Sequence, residues 1–258
     1  MSLLFRYIVA GFQKQLEYKL NFILLCLAVA PIHLINLFFS WVIIKHFGNI
    51  GDWQFNDMAF LYAMFLTPYS ISQIFFRQFR SFDSYVINGK LDLYLLRPNN
   101  LLFTLVFTDI NIMEIFSQFL PSVIILIYSS VGSKMVLNLE NLYVLIQGLI
   151  GGWLIISCFF ILIGLSSFWI YRTSGLGVIF FIFKDYVNYP LTIYSKEIRY
   201  LLSFCLPLAF VNYYPVSYVL GKEFNILAFF TLPIGLLMVF LTMLIWKKAL
   251  KRYSSTGS

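Results

Sequence analysis

Residues 20–44 read LNFILLCLAVAPIHLINLFFSWVII, 25 positions without one charged side chain. At 1.5 Å of rise per residue, such a stretch crosses a hydrocarbon core of ~30 Å with room to spare. Within lipid a single segment satisfies its backbone groups only as a helix. A removable secretory leader would place a short apolar core directly behind basic residues. Here the run begins only at Leu20 and is too long, so it reads as a membrane span.

The composition carries this reading to the whole chain. The 258 residues are 60% hydrophobic, 20% aromatic and 11% charged. Soluble domains carry about 25% charged residues, and so few charges cannot cover a water-facing surface. Residues 58–76, 109–128, 143–170 and 226–246 repeat the spanning pattern. Residues 174–220 hold two further apolar runs, 174–183 and 200–220, divided by Lys184, Asp185, Lys196, Glu197 and Arg199.

Charge decides how many of these runs cross. With the amino terminus inside and alternating sides, twelve of the eighteen basic residues fall inside, among them Arg77, Arg80, Lys90, Arg97, Arg172 and the cluster Lys247, Lys248, Lys251 and Arg252. Only Glu17, Asp83 and Asp92 accompany them, whereas the outside carries six basic and six acidic residues. Cytoplasmic loops carry the Lys and Arg excess, so both ends are expected inside and the number of crossings is even. Pro207 and Pro215 interrupt the second disputed run. Residues 174 to about 191 are therefore expected as the fifth of six spans, and residues 192–222 as a re-entrant outer hairpin before the last.

Leu4, Ile8, Phe12 and Leu16 recur every fourth position between Arg6, Gln13, Lys14 and Glu17. This predicts an amphipathic helix over residues 1–19 lying in the membrane interface. The expected fold is thus a single all-α transmembrane domain over residues 1–258, with no internal repeat. The net charge of +7 belongs to the inner loops, and no basic stripe interleaved with aromatics points to nucleic acid.

Little in the chain offers catalysis. His33 and His46 stand thirteen residues apart, about 20 Å along one helix and too far to share a metal. Cys26, Cys158 and Cys205 form no metal-binding spacing. No GxxxxGK[ST] loop is present, so ATP is not expected to bind here by the usual route. Asp109 and Glu114, with Asn111 and Gln118, make one span start unusually polar. Carboxylates in a membrane are costly and mark functional paths, unless they pair with a neighbouring Arg or Lys at the cytoplasmic edge. Phe180 and Phe181 are candidates to line the same path.

The polar insertion at residues 77–100 is the most informative segment. It runs Phe75-Phe76-Arg77-Gln78-Phe79-Arg80-Ser81-Phe82-Asp83, then Ile87-Asn88-Gly89-Lys90-Leu91-Asp92-Leu93-Tyr94-Leu95-Leu96-Arg97-Pro98. Gly89 is a good helix stop. Apolar residues on a cytoplasmic loop need a partner, either the membrane surface or another protein.

The string Gly89-Lys90-Leu91-Asp92 followed by Leu95-Leu96-Arg97-Pro98 resembles the loop signature of six-helix permeases in type-2 ABC exporters, in the branch without a large extracellular domain. Tyr189-Pro190-Leu191, Ile198-Arg199, Leu206-Pro207-Leu208-Ala209-Phe210 and Tyr214-Pro215 extend the resemblance downstream. It implies a multi-pass subunit of a cell membrane, of the prokaryotic plasma-membrane kind. That subunit dimerises with itself or a similar permease and pairs with two separate ATP-binding cassette subunits, which hold ATP and Mg. Phe79, Arg80, Phe82, Gly89, Lys90, Asp92 and Arg97 would couple it to the ATPase, and Pro207, Phe210 and Tyr214 would gate the outer exit. The solute would be hydrophobic or amphipathic, a drug, lipid or peptide moved by alternating access. A secondary transporter, which would show inverted repeats and more buried charge, and a membrane-embedded lipid-modifying enzyme are the other classes weighed.

Overall fold

The computed structural model describes residues 19–48, 51–96, 100–170 and 173–253. The interfacial helix expected over residues 1–19 lies outside them except for Lys19, and so do Arg97 and Arg172. Among the described residues every regular element is helical. In chain order these are α1 (Lys19–Phe47), α2 (Phe55–Phe76), a 3₁₀ turn (Arg77–Ser81), α3 (Phe82–Ile87), α4 (Lys90–Leu95), α5 (Leu101–Thr108), a π turn (Ile115–Phe119), α6 (Leu120–Gly132) and α7 (Leu139–Leu165). There follow α8 (Ser174–Tyr186), α9 (Lys196–Tyr200), a second π turn (Leu201–Cys205), α10 (Tyr213–Val219), a 3₁₀ turn (Ile226–Phe230) and α11 (Thr231–Leu250).

Five segments are long and apolar enough to cross a membrane: Cys26–His46, Phe55–Ile87, Ile115–Gly132, Leu139–Phe168 and Ile226–Leu250. They match the five long runs of the sequence, with one correction. The third span does not begin at Asp109. The chain breaks after α5 at Asp109, whose φ of −120° and ψ of 47° are not helical, and re-forms through the π turn. The polar residues expected inside the span stand at this break, where Asn111 N donates to the Ile74 carbonyl at 2.9 Å.

α2 sits at the centre, buried from Asp57 through Ile74 with few interruptions, the pattern of a helix packed on all sides. It begins with a capping box in which the Asp57 carboxylate accepts from Gln54 N at 3.0 Å. α7 packs against it, and α11 packs against α7 through small residues. A methyl group at Gly151 would lie 2.6 Å from the Thr231 carbonyl and the Leu232 amide, and one at Gly235 would lie 2.9 Å from the Gly151 carbonyl. In lipid, where apolar contact alone drives little association, close packing at small residues holds helices together. Gln147 spans the same seam, accepting from Leu232 N at 3.0 Å and donating to the Ala228 carbonyl. α1, by contrast, leaves Leu24, Leu27, Leu34 and Phe38 exposed.

Several charged groups are held at the two ends of the bundle. At one end Lys222 pairs with Asp57 at 2.8 Å, and Tyr218 donates to Glu140. At the other lie Arg77, Arg80 and the start of α8, where Thr173 N donates to Asp83 at 3.2 Å. α8 climbs from there, and its 13 residues end at Tyr186, short of the expected boundary near residue 191. Beyond it α9, the second π turn and α10 fold back on each other. Their turn packs halfway along α7, since a methyl group at Gly152 would touch Val211 at 2.9 Å and one at Gly148 would lie 3.2 Å from Pro215. Buried Asn212 ties the turn down, donating to the carbonyls of Val187 at 2.6 Å and Leu61 at 3.3 Å.

Candidate functional site

The loop after α2 is built from its apolar residues inward. Phe79 and Phe82 are fully buried, with ring centroids 5.5 Å apart. Phe79 meets Trp246 of α11 edge-on at 6.2 Å, and Phe82 meets Phe168 at the end of α7 at 5.9 Å. Gly164 makes room, since a methyl group there would lie 2.9 Å from the Phe79 carbonyl. The expectation that Phe79 and Phe82 present themselves to a partner is therefore corrected. Both rings turn inward because α7 and α11 offer an apolar seat that water and lipid headgroups do not.

Gly89 adopts φ 65°, the left-handed conformation that ends α3 and reverses the chain into α4. α4 buries Leu91 completely and leaves Leu93, Leu95 and Leu96 exposed, Leu96 by 82%. Lys90 is exposed at its start, and half-buried Asp92 sits beside Tyr253 beyond α11. Burial and the Asp92 carboxylate push the Tyr253 phenol up to about 12, so it stays neutral at physiological pH. The exposed leucines are the surface the sequence reading missed. Leu95 and Leu96 stood in the quoted motif, but only the short helix shows which side faces out.

The loop is also fastened to the break that leads into the third span. Arg77 donates to Glu114 at 2.8 Å, and Tyr85 donates to Asp109 at 2.6 Å. Glu114 is 4% exposed and also accepts from Asn111, Ser117 and Gln118. Its carboxylate is fully occupied and pairs with an arginine, the alternative the sequence had left open. Phe180 is buried against Phe159 and Phe160. Phe181 lies between two cations, Arg80 at 4.3 Å and Lys184 at 5.9 Å from its ring.

Pro207, Phe210 and Tyr214 do come together at the folded-back turn. The Phe210 and Tyr214 rings are 4.8 Å apart, and Tyr214 shares a hydrogen bond of 2.7 Å with Ser203. Pro207 and Phe210 line an apolar cavity of about 460 Å³ against Leu227, Ile234 and Met238.

A second, polar cavity of about 180 Å³ opens among α1, α2, the first π turn and the end of α8. His33, considered from sequence only as a metal ligand, is one of its walls. His33 Nδ1 and the Tyr62 hydroxyl are 2.7 Å apart, and Asn36 donates to the same hydroxyl at 3.3 Å. Gln118 and Lys184 complete the ring.

A family profile described as ABC-2 family transporter protein matches residues 31–257. No curated protein and no solved structure matches the chain.

Proposed function

The chain belongs to the ABC-2 family of transporter proteins, and from that premise we propose that it is the permease subunit of an ATP-driven exporter. It crosses the membrane six times, α8 providing the fifth crossing, with both ends in the cytoplasm. The segment from α9 to α10 re-enters from the outside. Two copies, or this chain and a similar permease, form the dimeric unit, and separate ATP-binding cassette subunits supply ATP and Mg. The solute is hydrophobic or amphipathic.

The observation that carries the coupling role is the two-sided loop. Phe79 and Phe82 lock its inner side to α11 and to the end of α7, and Leu91 is buried, while Leu93, Leu95 and Leu96 stand exposed on its outer side. Arg77, Asp83 and Tyr85 bind the same loop to the break that leads into the third span and to α8. A push on α4 is therefore delivered to four helices at once. Arg80 stacks on Phe181 of α8 and belongs to this transmitting layer, with Gly89 setting the turn that presents α4.

The test substitutes Leu93→Asp and Leu96→Asp and follows co-purification of the ATP-binding subunit and ATP turnover. An unpaired carboxylate buried in an apolar contact costs several kcal/mol, so recovery of the subunit should fall about tenfold or more. Insertion of the permease should be unchanged, since both side chains are exposed. Recovery and turnover at wild-type levels in both variants would remove α4 from the docking surface.

A further inference from the structure

We propose that the polar cavity between α1, α2 and α8 is the seat of an anionic headgroup, and that the exported solute is an amphiphile carrying one. The proposal rests on the permease reading and names the solute class for it.

The argument begins with size. Pockets that enclose drug-sized ligands run to about 300–1,000 Å³. The cavity measures about 180 Å³, room for about six waters at ~30 Å³ each. It suits a compact headgroup and cannot enclose a whole hydrophobic solute. The tail must then lie outside it, against the apolar face of α1, where Ile32 is exposed and also lines the cavity.

Depth and charge define the headgroup. Tyr62 lies seven residues below the start of α2, about 10 Å into the bundle at 1.5 Å per residue. Polar and charged groups at such depth are costly and pair or serve a function. Lys184 brings its ammonium deeper still, 5.1 Å from the centre of the Tyr69 ring, seven residues further along α2. Its neighbour Asp185 pairs with it at 3.5 Å, from a side chain that is 69% exposed and does not line the cavity. The other nearby carboxylate, Glu114, is taken up by Arg77, Asn111, Ser117 and Gln118. The cavity thus has one ammonium and no carboxylate on its wall.

His33 belongs to the wall but not to the donor set: it is 6% exposed, and its Nε2 is closed to water. The Tyr62 hydroxyl accepts from Asn36, which leaves its own proton for His33 Nδ1. The neutral imidazole then carries its proton on Nε2, on the side of the Ser117 backbone. The Lys184 ammonium, beside the amides of Asn36 and Asn188, forms a donor set for an anionic oxygen group.

The test measures binding to the full-length chain in nanodiscs, using dodecyl phosphate, dodecyl maltoside and inorganic phosphate as probes. Dodecyl phosphate should bind about tenfold or more tightly than dodecyl maltoside, the worth of one charge-assisted hydrogen bond. Lys184→Gln should abolish that preference, and Lys184→Arg should keep it. Equal affinity for the two dodecyl probes, or a preference that survives Lys184→Gln, overturns the proposal. Inorganic phosphate binding as tightly as dodecyl phosphate overturns the amphiphile in favour of a free-anion site. Binding here needs no ATPase, so its failure leaves the permease reading standing. Conversely, if binding survives while no ATP-binding subunit ever associates, the permease reading alone is lost.

Discussion

Glu114 and Arg77 are unequal partners. The Glu114 side chain is 5% exposed and that of Arg77 is 46% exposed, so each stands to lose something different when the other is removed. Arg77→Leu strands a carboxylate in the bundle, and breaking a buried pair in this way costs about 3–5 kcal/mol. Glu114→Gln leaves a guanidinium that water can still reach, and the smaller loss of charge-assisted hydrogen bonds is about 1.5–3 kcal/mol. In detergent, Arg77→Leu should therefore lower the unfolding midpoint more than Glu114→Gln. The reverse order would show that the pair is not held as the geometry describes. From the sequence, Glu114 could equally have faced a path, because its partner lies 37 positions away across a break in the helix.

At the scale of elements, the seam between α7 and α11 and the exposed start of α8 make a matched pair of glycine tests. Gly151→Val forces side-chain carbons against the Thr231 and Leu232 backbone, where even one methyl group would sit at 2.6 Å. Overpacking of this kind costs about 1–3 kcal/mol and should show as a lowered midpoint. Gly175→Ala meets nothing within 4 Å and should leave the midpoint unchanged or raise it, by up to about 1 kcal/mol of helix propensity. Equal effects would refute the close seam. The long elements were legible because 20-residue apolar runs have one solution in lipid. The short ones were not. Whether Phe79 turns in and Leu96 turns out depends on a seat supplied by Gly164 and Trp246, far along the chain. The cavity was hidden for the same reason: His33, Tyr62, Gln118 and Lys184 are polar singletons on four separate stretches, each unremarkable in its own run.

For the whole molecule, separation of the Lys222–Asp57 end from the Arg77–Lys90 end defines an axis across the bilayer. In a background with Cys26, Cys158 and Cys205 replaced by alanine, a cysteine at Glu223 should react with an impermeant reagent on intact cells. Cysteines at Lys90 and Ser255 should react only after permeabilisation. Labelling of Ser255 on intact cells would overturn the six-crossing arrangement. The Phe79–Trp246 contact also bears on how the protein is made. The ribosome produces the loop before α11, yet the loop's seat is partly composed of α11. A nascent chain without α11 therefore lacks part of the platform on which α4 is displayed, and any partner that binds α4 would be recruited only once α11 is in place.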